Sequence, residues 1–285
     1  MKMNYFANKQ KLLPGIYGGM GPLSHIKFEE HLLTACHQLN IQGDQNIPTW
    51  ILFSGSSTPD RTKSIQQTGP ISVSHLVYFT KQLESFGCDF VVIACNTAHH
   101  YFETIKKSLY IPIVSMIDET VKEITTNYKG VRKVGLMATN GTIESNLYQE
   151  AFAKIGVSVI TPKIHDPIQK NIMRAIYDKD YGIKETGTRL DTKACKILLD
   201  GAYRLRHQGA EVIISGCTEI SLAFERTNFD IPIIDPLKIT AYKTIAVAMG
   251  IEKLPRTNLG EISSPNVLTQ FSKIFRSDNS SHNLI

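Results

Sequence analysis

Short apolar runs alternate with longer segments of helical periodicity along most of this chain. The short runs are rich in Val and Ile, as buried strands are, and polar or glycine-rich turns separate them from the longer segments. This alternation predicts an α/β fold with mostly parallel sheets flanked by helices. Strands are predicted at residues 12–17, 49–53, 90–94, 111–114, 133–137, 158–161, 211–215 and 232–234. Helices are predicted at residues 24–39, 70–86, 117–127, 143–155, 168–177, 188–208 and 237–249, with a further helix through residue 107 and a polar loop at 54–62.

Three features recur in the same order in the two halves of the chain. Residues 15–21 are matched by residues 134–142, the Cys95 motif by the Cys217 motif, and an Ile-Pro-Ile segment at 111–113 by one at 231–233, at offsets of 120 to 122 residues. The repeat predicts two similar α/β lobes with a ligand cleft between them. We expect the lobes to span residues 1–130 and 131–250 and to exchange a segment near one end of the chain. Residues 251–285 are predicted to form a partly disordered extension with one short helix at 267–275.

Composition and charge exclude several classes of function. Of the 285 residues, 42% are hydrophobic and 20% charged, as in ordinary globular proteins. The net charge of +5 comes from scattered basic residues, so we expect an anionic metabolite rather than a nucleic acid as partner. No pair of the five cysteines has zinc-ligand spacing, so we expect free thiols and no metal. No apolar stretch reaches 18 residues and no signal-peptide core is present, which predicts no membrane contact and a cytoplasmic location.

Two cysteines stand out because each follows an apolar run and opens a polar turn. Cys95 lies in Ala-Cys-Asn-Thr-Ala-His, and Cys217 lies in Gly-Cys-Thr-Glu. Ligands in open α/β sheets bind beyond the carboxyl ends of the strands, so both thiols are expected to face one substrate. A thiolate on one side and a thiol on the other can carry a proton across a carbon centre, as racemisation without a cofactor requires. The other three, Cys36, Cys88 and Cys195, are expected to pack in the core or on helix faces.

Polar residues next to the cysteines are candidate ligands for a substrate carboxylate. Asn96, Thr97 and Thr218 can donate hydrogen bonds to it, or cap the helices that follow. The glycine-rich turn after the first strand lacks the spacing of a nucleotide-binding loop, and we expect it to lie beside the substrate. Its candidate substrate-binding residues are Gly19, Met20 and Gly21.

Other charged residues in the sequence can either contribute to the substrate site or have a structural or surface role. Arg61 can bind a second carboxylate through its planar fork, or pair with Asp60 on the surface. Lys184 can bind the same anion or lie in solvent. Glu219 can orient its neighbours or place its charge at the start of a helix. His99 is expected to have a supporting or packing role.

Five motifs together resemble the aspartate/glutamate racemase family, and most closely its aspartate racemase branch. They are Gly-Gly-Met-Gly-Pro at residues 18–22, Pro-Asp-Arg-Thr at 59–62, Cys-Asn-Thr-Ala-His at 95–99, Ala-Ile-Tyr with Gly-Ile-Lys at 175–184, and Gly-Cys-Thr-Glu at 216–219. They extend over most of the chain up to about residue 249. Glutamate racemases that supply cell walls typically carry His after the second Cys-Thr, whereas this chain has Glu219. This favours the aspartate branch, and broad-specificity members of the family share the feature.

The resemblance implies a pyridoxal-independent, two-base amino-acid racemase with two Rossmann-like lobes, no cofactor and usually a homodimeric assembly. It implies that Cys95 and Cys217 are the catalytic pair. Arg61 and Lys184 then bind a substrate carboxylate or stabilise the carbanion. The predicted substrate is a small dicarboxylic amino acid, aspartate first and glutamate as an additional candidate.

Other functions remain open on the same residues. Relatives with this scaffold include maleate isomerases, hydantoin racemases and arylmalonate decarboxylases, although a decarboxylase of this type needs one cysteine and this chain keeps two. A non-catalytic protein that binds an acidic amino acid is a further alternative. A pyridoxal enzyme is poorly supported, because no phosphate-cradling motif accompanies Lys184.

Overall fold

The computed structural model describes residues 10–187, 189–225 and 229–254. These residues form two four-stranded sheets in which all paired strands are parallel. The first sheet contains β1 (Pro14–Gly18), β2 (Ile51–Ser54), β3 (Phe90–Ile93) and β4 (Ile113–Val114), and the second contains β5 (Lys133–Ala138), β6 (Ser158–Ile160), β7 (Val212–Gly216) and β8 (Ile233–Ile234). The structure confirms the predicted α/β fold with two similar lobes.

Helices connect the strands within and between the lobes. In the described part of the chain they are α1 (Pro22–Gln38), α2 (Arg61–Ile65), α3 (Val73–Ser85), α4 (Phe102–Ser108), α5 (Met116–Asn127), α6 (Asn140–Glu144), α7 (Leu147–Ala153), α8 (Pro167–Tyr177), α9 (Ile183–Thr186), α10 (Thr192–His207), α11 (Thr218–Phe224) and α12 (Pro236–Ala248). Short 3-10 helices lie at Asp44–Asn46 and Thr97–Tyr101. Proline opens α1, α8 and α12, where its missing N–H has no helical partner to lose.

Three local differences separate the predicted helices from the observed ones. The helix predicted at residues 143–155 is broken at Asn146, whose φ of 52° is left-handed, a conformation that Asn tolerates. The predicted loop at 54–62 is shorter than expected, because Asp60 caps α2 by accepting the Lys63 N–H and the helix begins at Arg61. The short helices α9 and α11 were not predicted, because helices of one or two turns depend on tertiary contacts rather than on a periodic pattern.

The two sheets have the same strand order, β2-β1-β3-β4 in the first lobe and β6-β5-β7-β8 in the second. In each sheet the strand order reverses direction between the two central strands. Open α/β sheets bind ligands at such a switch point, beyond the carboxyl ends of these strands. Cys95 follows β3 and Cys217 follows β7. The two cysteines therefore occupy equivalent places in the two lobes.

Apolar clusters cover both faces of each sheet. Ile16 and Tyr17 are adjacent on β1 and belong to clusters on opposite faces. Helix α12 follows β8 of the second lobe, yet it packs against α1 and α5, and its Leu237 joins the cluster around Ile16. The N–H groups of Lys11 and Leu12 both donate to the Ala248 carbonyl at 2.9 and 3.1 Å. Helix α12 is thus the candidate for the exchanged segment, and the division at residue 130 stays a prediction.

The two ends of the chain are described only in part. Residues 251–254 of the extension belong to the described chain, whereas the helix predicted at 267–275 and the disorder predicted near the carboxyl terminus lie outside the described residues. Residues 1–9, on which the signal-peptide prediction rested, also lie outside them. None of the helices in the described part has the length and apolarity that crossing a bilayer requires.

Candidate active site

The two lobes meet around a small cavity at the carboxyl ends of their central strands. Cys95 reaches it from the first lobe and Cys217 from the second, each with 6% of its surface exposed and neither in a disulfide. The other lining residues come from the turns after β1, β3, β5 and β7 and from the connections that follow β2 and β6. They are Met20, Arg61, Asn96, Thr97, Thr139, Tyr177, Lys184, Thr218 and Glu219.

His99 holds the turn that carries Cys95 without lining the cavity. Its Nδ1–H donates to the Cys95 carbonyl at 2.8 Å, and its Nε2 accepts the Met116 N–H at 3.1 Å. Because Nε2 accepts, the proton of the neutral ring must be on Nδ1. Complete burial lowers the pKa of His99 to about 4, against the smaller effects of its hydrogen bond and of Asp118. His99 is therefore a neutral side chain that supports the cysteine turn, as its sequence context predicts.

Acidification is expected to weaken the fold through His99. A histidine whose pKa is lowered to about 4 in the folded state binds fewer protons than the unfolded chain between about pH 6.5 and pH 4. The free energy of unfolding should therefore fall by about 3 kcal/mol across that window as the pH decreases. Urea unfolding of wild type and of His99→Gln at several pH values checks this. The variant should lose that part of the pH dependence, and equal slopes for the two proteins would contradict the assignment.

Cys217 is a protonated thiol in this structure. It directly follows β7 and stands at the N-cap of α11, and its Sγ–H donates to Glu219 Oε2 at 3.0 Å. Burial and the charge of Glu219 raise the pKa of Cys217 well above its usual range, and the positive charge of Lys184 opposes them only in part. Cys217 thus holds a proton in the resting site.

Glu219 is the centre of a buried hydrogen-bond network that joins the lobes. Its Oε1 lies 2.7 Å from Lys184 Nζ and accepts the Ser24 hydroxyl at 3.0 Å, and its Oε2 accepts the Thr218 hydroxyl at 3.0 Å. Ser24 belongs to α1 of the first lobe, and its hydroxyl also lies 2.6 Å from that of Thr218. Burial opposes the carboxylate charge, but Lys184 and the thiol of Cys217 together lower the pKa of Glu219 to about 2. The carboxylate is therefore ionised at neutral pH.

Arg61 is held by backbone carbonyls and keeps one donor free for a ligand. Its Nη1 donates to the carbonyls of Thr58 and Pro59, each at 3.0 Å, and its Nη2 donates to the Met20 carbonyl at 3.1 Å. Its buried Nε has no hydrogen-bond partner among the described residues. Burial disfavours its charge, but the negative charge of a Cys95 thiolate is the largest of the effects that raise the pKa of Arg61. Arg61 is therefore buried at the site and does not form the surface pair with Asp60 that the sequence left open.

The glycine-rich turn brings a carbonyl to both cations of the site. Met20 accepts from Arg61 Nη2 and from Lys184 Nζ, the latter at 3.4 Å. A Cβ on Gly21 would lie 3.2 Å from Glu219 Oε1, and one on Gly19, whose φ is 84°, would lie 2.6 Å from the Gly55 nitrogen. Glycine is therefore required at Gly19, by backbone contact and by its left-handed φ, whereas a side chain at Gly21 would displace the Glu219 carboxylate by a few tenths of an ångström. The expected contact of this turn with substrate stays a prediction.

Arg61 and Lys184 occupy equivalent places in the two lobes. Arg61 lies in the connection between β2 and β3, and Lys184 lies in the connection between β6 and β7. Arg61 therefore comes from the same lobe as Cys95, and Lys184 comes from the same lobe as Cys217. The arrangement gives the cavity one thiol and one cation from each side.

A cluster of three threonine hydroxyls includes the two lining residues Thr97 and Thr139. Thr97 Oγ1 lies 3.0 Å from the hydroxyls of both Thr139 and Thr142, which lie 3.2 Å from each other. Gly141 allows this contact between lobes, because a Cβ there would lie 2.9 Å from the Thr62 Cα. Thr97 is thus tied to the second lobe in the way that Thr218 is tied to Ser24 of the first.

Three residues of the site were missed in the sequence. Thr139 stands where the repeat places the counterpart of the glycine-rich turn, so the repeat could have identified it. Tyr177 lies inside a recognised motif but received no role; its ring centroid is 5.7 Å from Lys184 Nζ, and burial raises its pKa well above the usual range. Ser24 gave no signal, because its partners are 194 and 195 residues away. No group of three or more His, Cys, Asp or Glu side chains in the described chain is arranged to hold a metal ion.

Comparisons with known proteins point to one family. The family model for Asp/Glu/Hydantoin racemase matches residues 18–244. The broad specificity amino-acid racemase RacX of Bacillus subtilis is 29% identical over 242 residues, which cover 84% of this chain and 99% of that protein. The fold is similar to that of Picrophilus torridus aspartate racemase, with a TM-score of 0.69, 24% identity and coverage of 86% and 96% of the two chains. It is also similar to a glutamate racemase of Bacillus anthracis, with a TM-score of 0.57, 18% identity and coverage of 85% and 84%.

Proposed function

Because the chain belongs to the Asp/Glu/hydantoin racemase family and is thus an isomerase, we propose that it interconverts L- and D-aspartate with Cys95 and Cys217 as the two bases. One observation carries the proposal: the two thiols come from equivalent strands of the two lobes and line the same cavity. A substrate between them would present opposite faces of its α-carbon to the two sulfur atoms.

The reaction moves one proton onto the α-carbon and one off it. The Cys95 thiolate takes the α-proton of one enantiomer, and the C–H electron pair remains on the α-carbon as a carbanion. The Cys217 thiol then gives its proton to the opposite face, which forms the other enantiomer and leaves Cys217 as the thiolate. The reverse reaction starts from that state. The proton that Cys217 holds against Glu219 supports this starting assignment.

Two cations support a dicarboxylic substrate. Arg61 and Lys184 both lie at the cavity, and Lys184 is already paired with Glu219. Arg61 keeps its buried Nε–H for a carboxylate, and Asn96 adds an amide nitrogen with no hydrogen-bond partner among the described residues. The charge of Arg61 also stabilises the carbanion, because negative charge spreads from the α-carbon onto the α-carboxylate.

The small size of the cavity favours aspartate over glutamate. The side chains leave about 10 Å³ between them, which is room for roughly one water molecule. An amino acid can therefore enter only if part of the wall moves. Aspartate is one methylene shorter than glutamate and requires the smaller displacement.

We expect a preference for acidic amino acids that depends on Arg61. Racemisation assayed by chiral chromatography should give a kcat/KM for aspartate at least about tenfold above that for alanine, because a charge-assisted hydrogen bond contributes about 1.5–3 kcal/mol. Arg61→Ala should remove most of that preference. Arg61→Lys should keep part of it, since lysine keeps the positive charge but cannot form two parallel hydrogen bonds to a carboxylate. Equal preference in Arg61→Ala and wild type would exclude Arg61 as the specificity residue.

Maleate distinguishes the main alternative within the family. Maleate has two carboxylates but no sp³ α-carbon to deprotonate, so one thiolate would have to add to its double bond and leave again after rotation about the resulting single bond. Incubation with maleate, followed by NMR, should show no fumarate at protein concentrations that racemise aspartate within minutes. Formation of fumarate without racemisation of any amino acid would replace the proposed function with maleate isomerisation.

The assembly and location of the protein are separate proposals. We infer a homodimer from the family resemblance, which light scattering would detect as twice the mass of one chain. A mass equal to one chain at assay concentrations, together with full activity, would exclude a role for a dimer in catalysis. The cytoplasmic location is likewise a proposal that rests on the sequence.

A further inference from the structure

Tyr148 reaches across the lobe boundary to the residue that follows Cys95. It lies on α7 of the second lobe, 52 residues from Asn96, and its hydroxyl donates to Asn96 Oδ1 at 2.5 Å. This distance suits an O–H···O bond and is too short for an N–H···O bond. The contact therefore orients the amide, with its oxygen toward Tyr148 and its nitrogen on the other side.

The nitrogen of that amide is the part that points to a ligand. Asn96 lines the cavity and is only 2% exposed, and its Nδ2 has no hydrogen-bond partner among the described residues. Buried N–H groups are almost always paired in folded proteins. An unpaired amide NH₂ at the wall of a cavity with two cations suits a carboxylate oxygen.

We propose that Tyr148 is a positioning residue, whose hydroxyl holds the Asn96 amide with its NH₂ group toward the substrate carboxylate. This inference rests on the proposed function and adds to it a residue that stands behind the cavity wall. Burial raises the pKa of Tyr148 above its usual range, so the hydroxyl keeps its proton at assay pH. Without that hydroxyl the amide can turn over and present its oxygen, which repels a carboxylate.

Tyr148→Phe tests the inference, because it removes one hydroxyl and keeps the packing of the ring. The KM for L-aspartate should rise about tenfold with kcat within about twofold of wild type. Asn96→Ala should give a similar rise, and the double variant should be no worse than Asn96→Ala, because Tyr148 acts through Asn96. An unchanged KM in Tyr148→Phe, or effects that multiply in the double variant, would overturn the inference. A thermal melt of each variant shows whether a loss of folding contributes.

Asn96→Asp tests which end of the amide faces the substrate. Tyr148 can still donate to one carboxylate oxygen, but the other oxygen then replaces the NH₂ group at the cavity. Asn96→Asp should therefore bind L-aspartate more weakly than Asn96→Ala. Equal or tighter binding by Asn96→Asp would contradict the orientation.

Calorimetric binding of succinate, a dicarboxylate that cannot racemise, separates this inference from the proposed function. If wild type binds succinate but racemises no amino acid, the proposed function fails, and about tenfold weaker succinate binding by Tyr148→Phe still supports the role of Tyr148. If Tyr148→Phe binds succinate as wild type does, the inference alone fails. If wild type binds neither succinate nor aspartate, both proposals fail.

Discussion

Cys217→Ala is expected to lower the rate of aspartate racemisation by about 10²- to 10⁴-fold, the usual contribution of a general acid or base. Cys95→Ala should have an effect of the same size, because each thiol serves one face of the α-carbon. The remaining thiol can still remove and return the α-proton on its own face. Each variant should therefore exchange the α-proton of one enantiomer with solvent deuterium, slowly and without inversion, and the two variants should act on opposite enantiomers. Chiral chromatography and NMR of the same samples measure both results.

Cys36→Ala is the matched control for loss of a thiol. Cys36 is fully buried in the core of the first lobe and lies outside the cavity wall. Its variant should racemise aspartate at the rate of wild type. Racemisation by Cys217→Ala or Cys95→Ala within tenfold of wild type would exclude a mechanism that uses both thiols.

Lys184→Met is expected to give the largest loss of stability among the site variants. The change leaves the Glu219 carboxylate buried at 2% exposure without its cation, and breaking a buried pair in this way costs about 3–5 kcal/mol. Racemisation should fall as well, because the substrate carboxylate loses one of the two cations at the cavity. Urea unfolding at pH 7 and steady-state kinetics measure the two effects.

The double variant Lys184→Met/Glu219→Gln is the control for that loss. Without a buried charge to compensate, it should recover most of the unfolding free energy lost in Lys184→Met while activity stays low. Glu219→Gln alone should also remove the part of the pH dependence of stability that comes from the Glu219–Lys184 pair. The stability that Glu219 contributes is complete above about pH 4.5 and is lost as the pH falls toward about 2. Stability of Lys184→Met equal to that of wild type at pH 7 would contradict a buried, charged pair.

Strands and the turns that end them depend on short stretches of sequence, and these features were predicted correctly. Every predicted strand is present, with ends that differ by at most two residues. A buried strand is a short apolar run with a polar turn at its end, so one pattern located both β3 with Cys95 and β7 with Cys217. The repeat of that pattern was sufficient to predict two lobes, and the family match agrees with the motifs that carried the resemblance.

Features that depend on contacts between distant segments could not be predicted. Arg61 and Lys184 both donate to Met20, which lies 41 and 164 residues away, so their sequence context left the choice between site and surface open. The same holds for Tyr148, an aromatic residue in a helix whose pattern predicts only core packing. Helix α12 follows the second sheet but packs on the first lobe, a choice that depends on the shape of both lobes.

The α-proton of L- and D-aspartate in D₂O, followed by NMR with purified protein and no added cofactor, tests the two-thiol mechanism most directly. The two-thiol mechanism predicts that each enantiomer is converted into the other, and that the product carries deuterium at Cα while the remaining substrate keeps its proton in the early part of the reaction. This asymmetry arises because the incoming proton comes from the opposite thiol. Deuterium that enters substrate as fast as product, or no exchange with aspartate, would contradict the account.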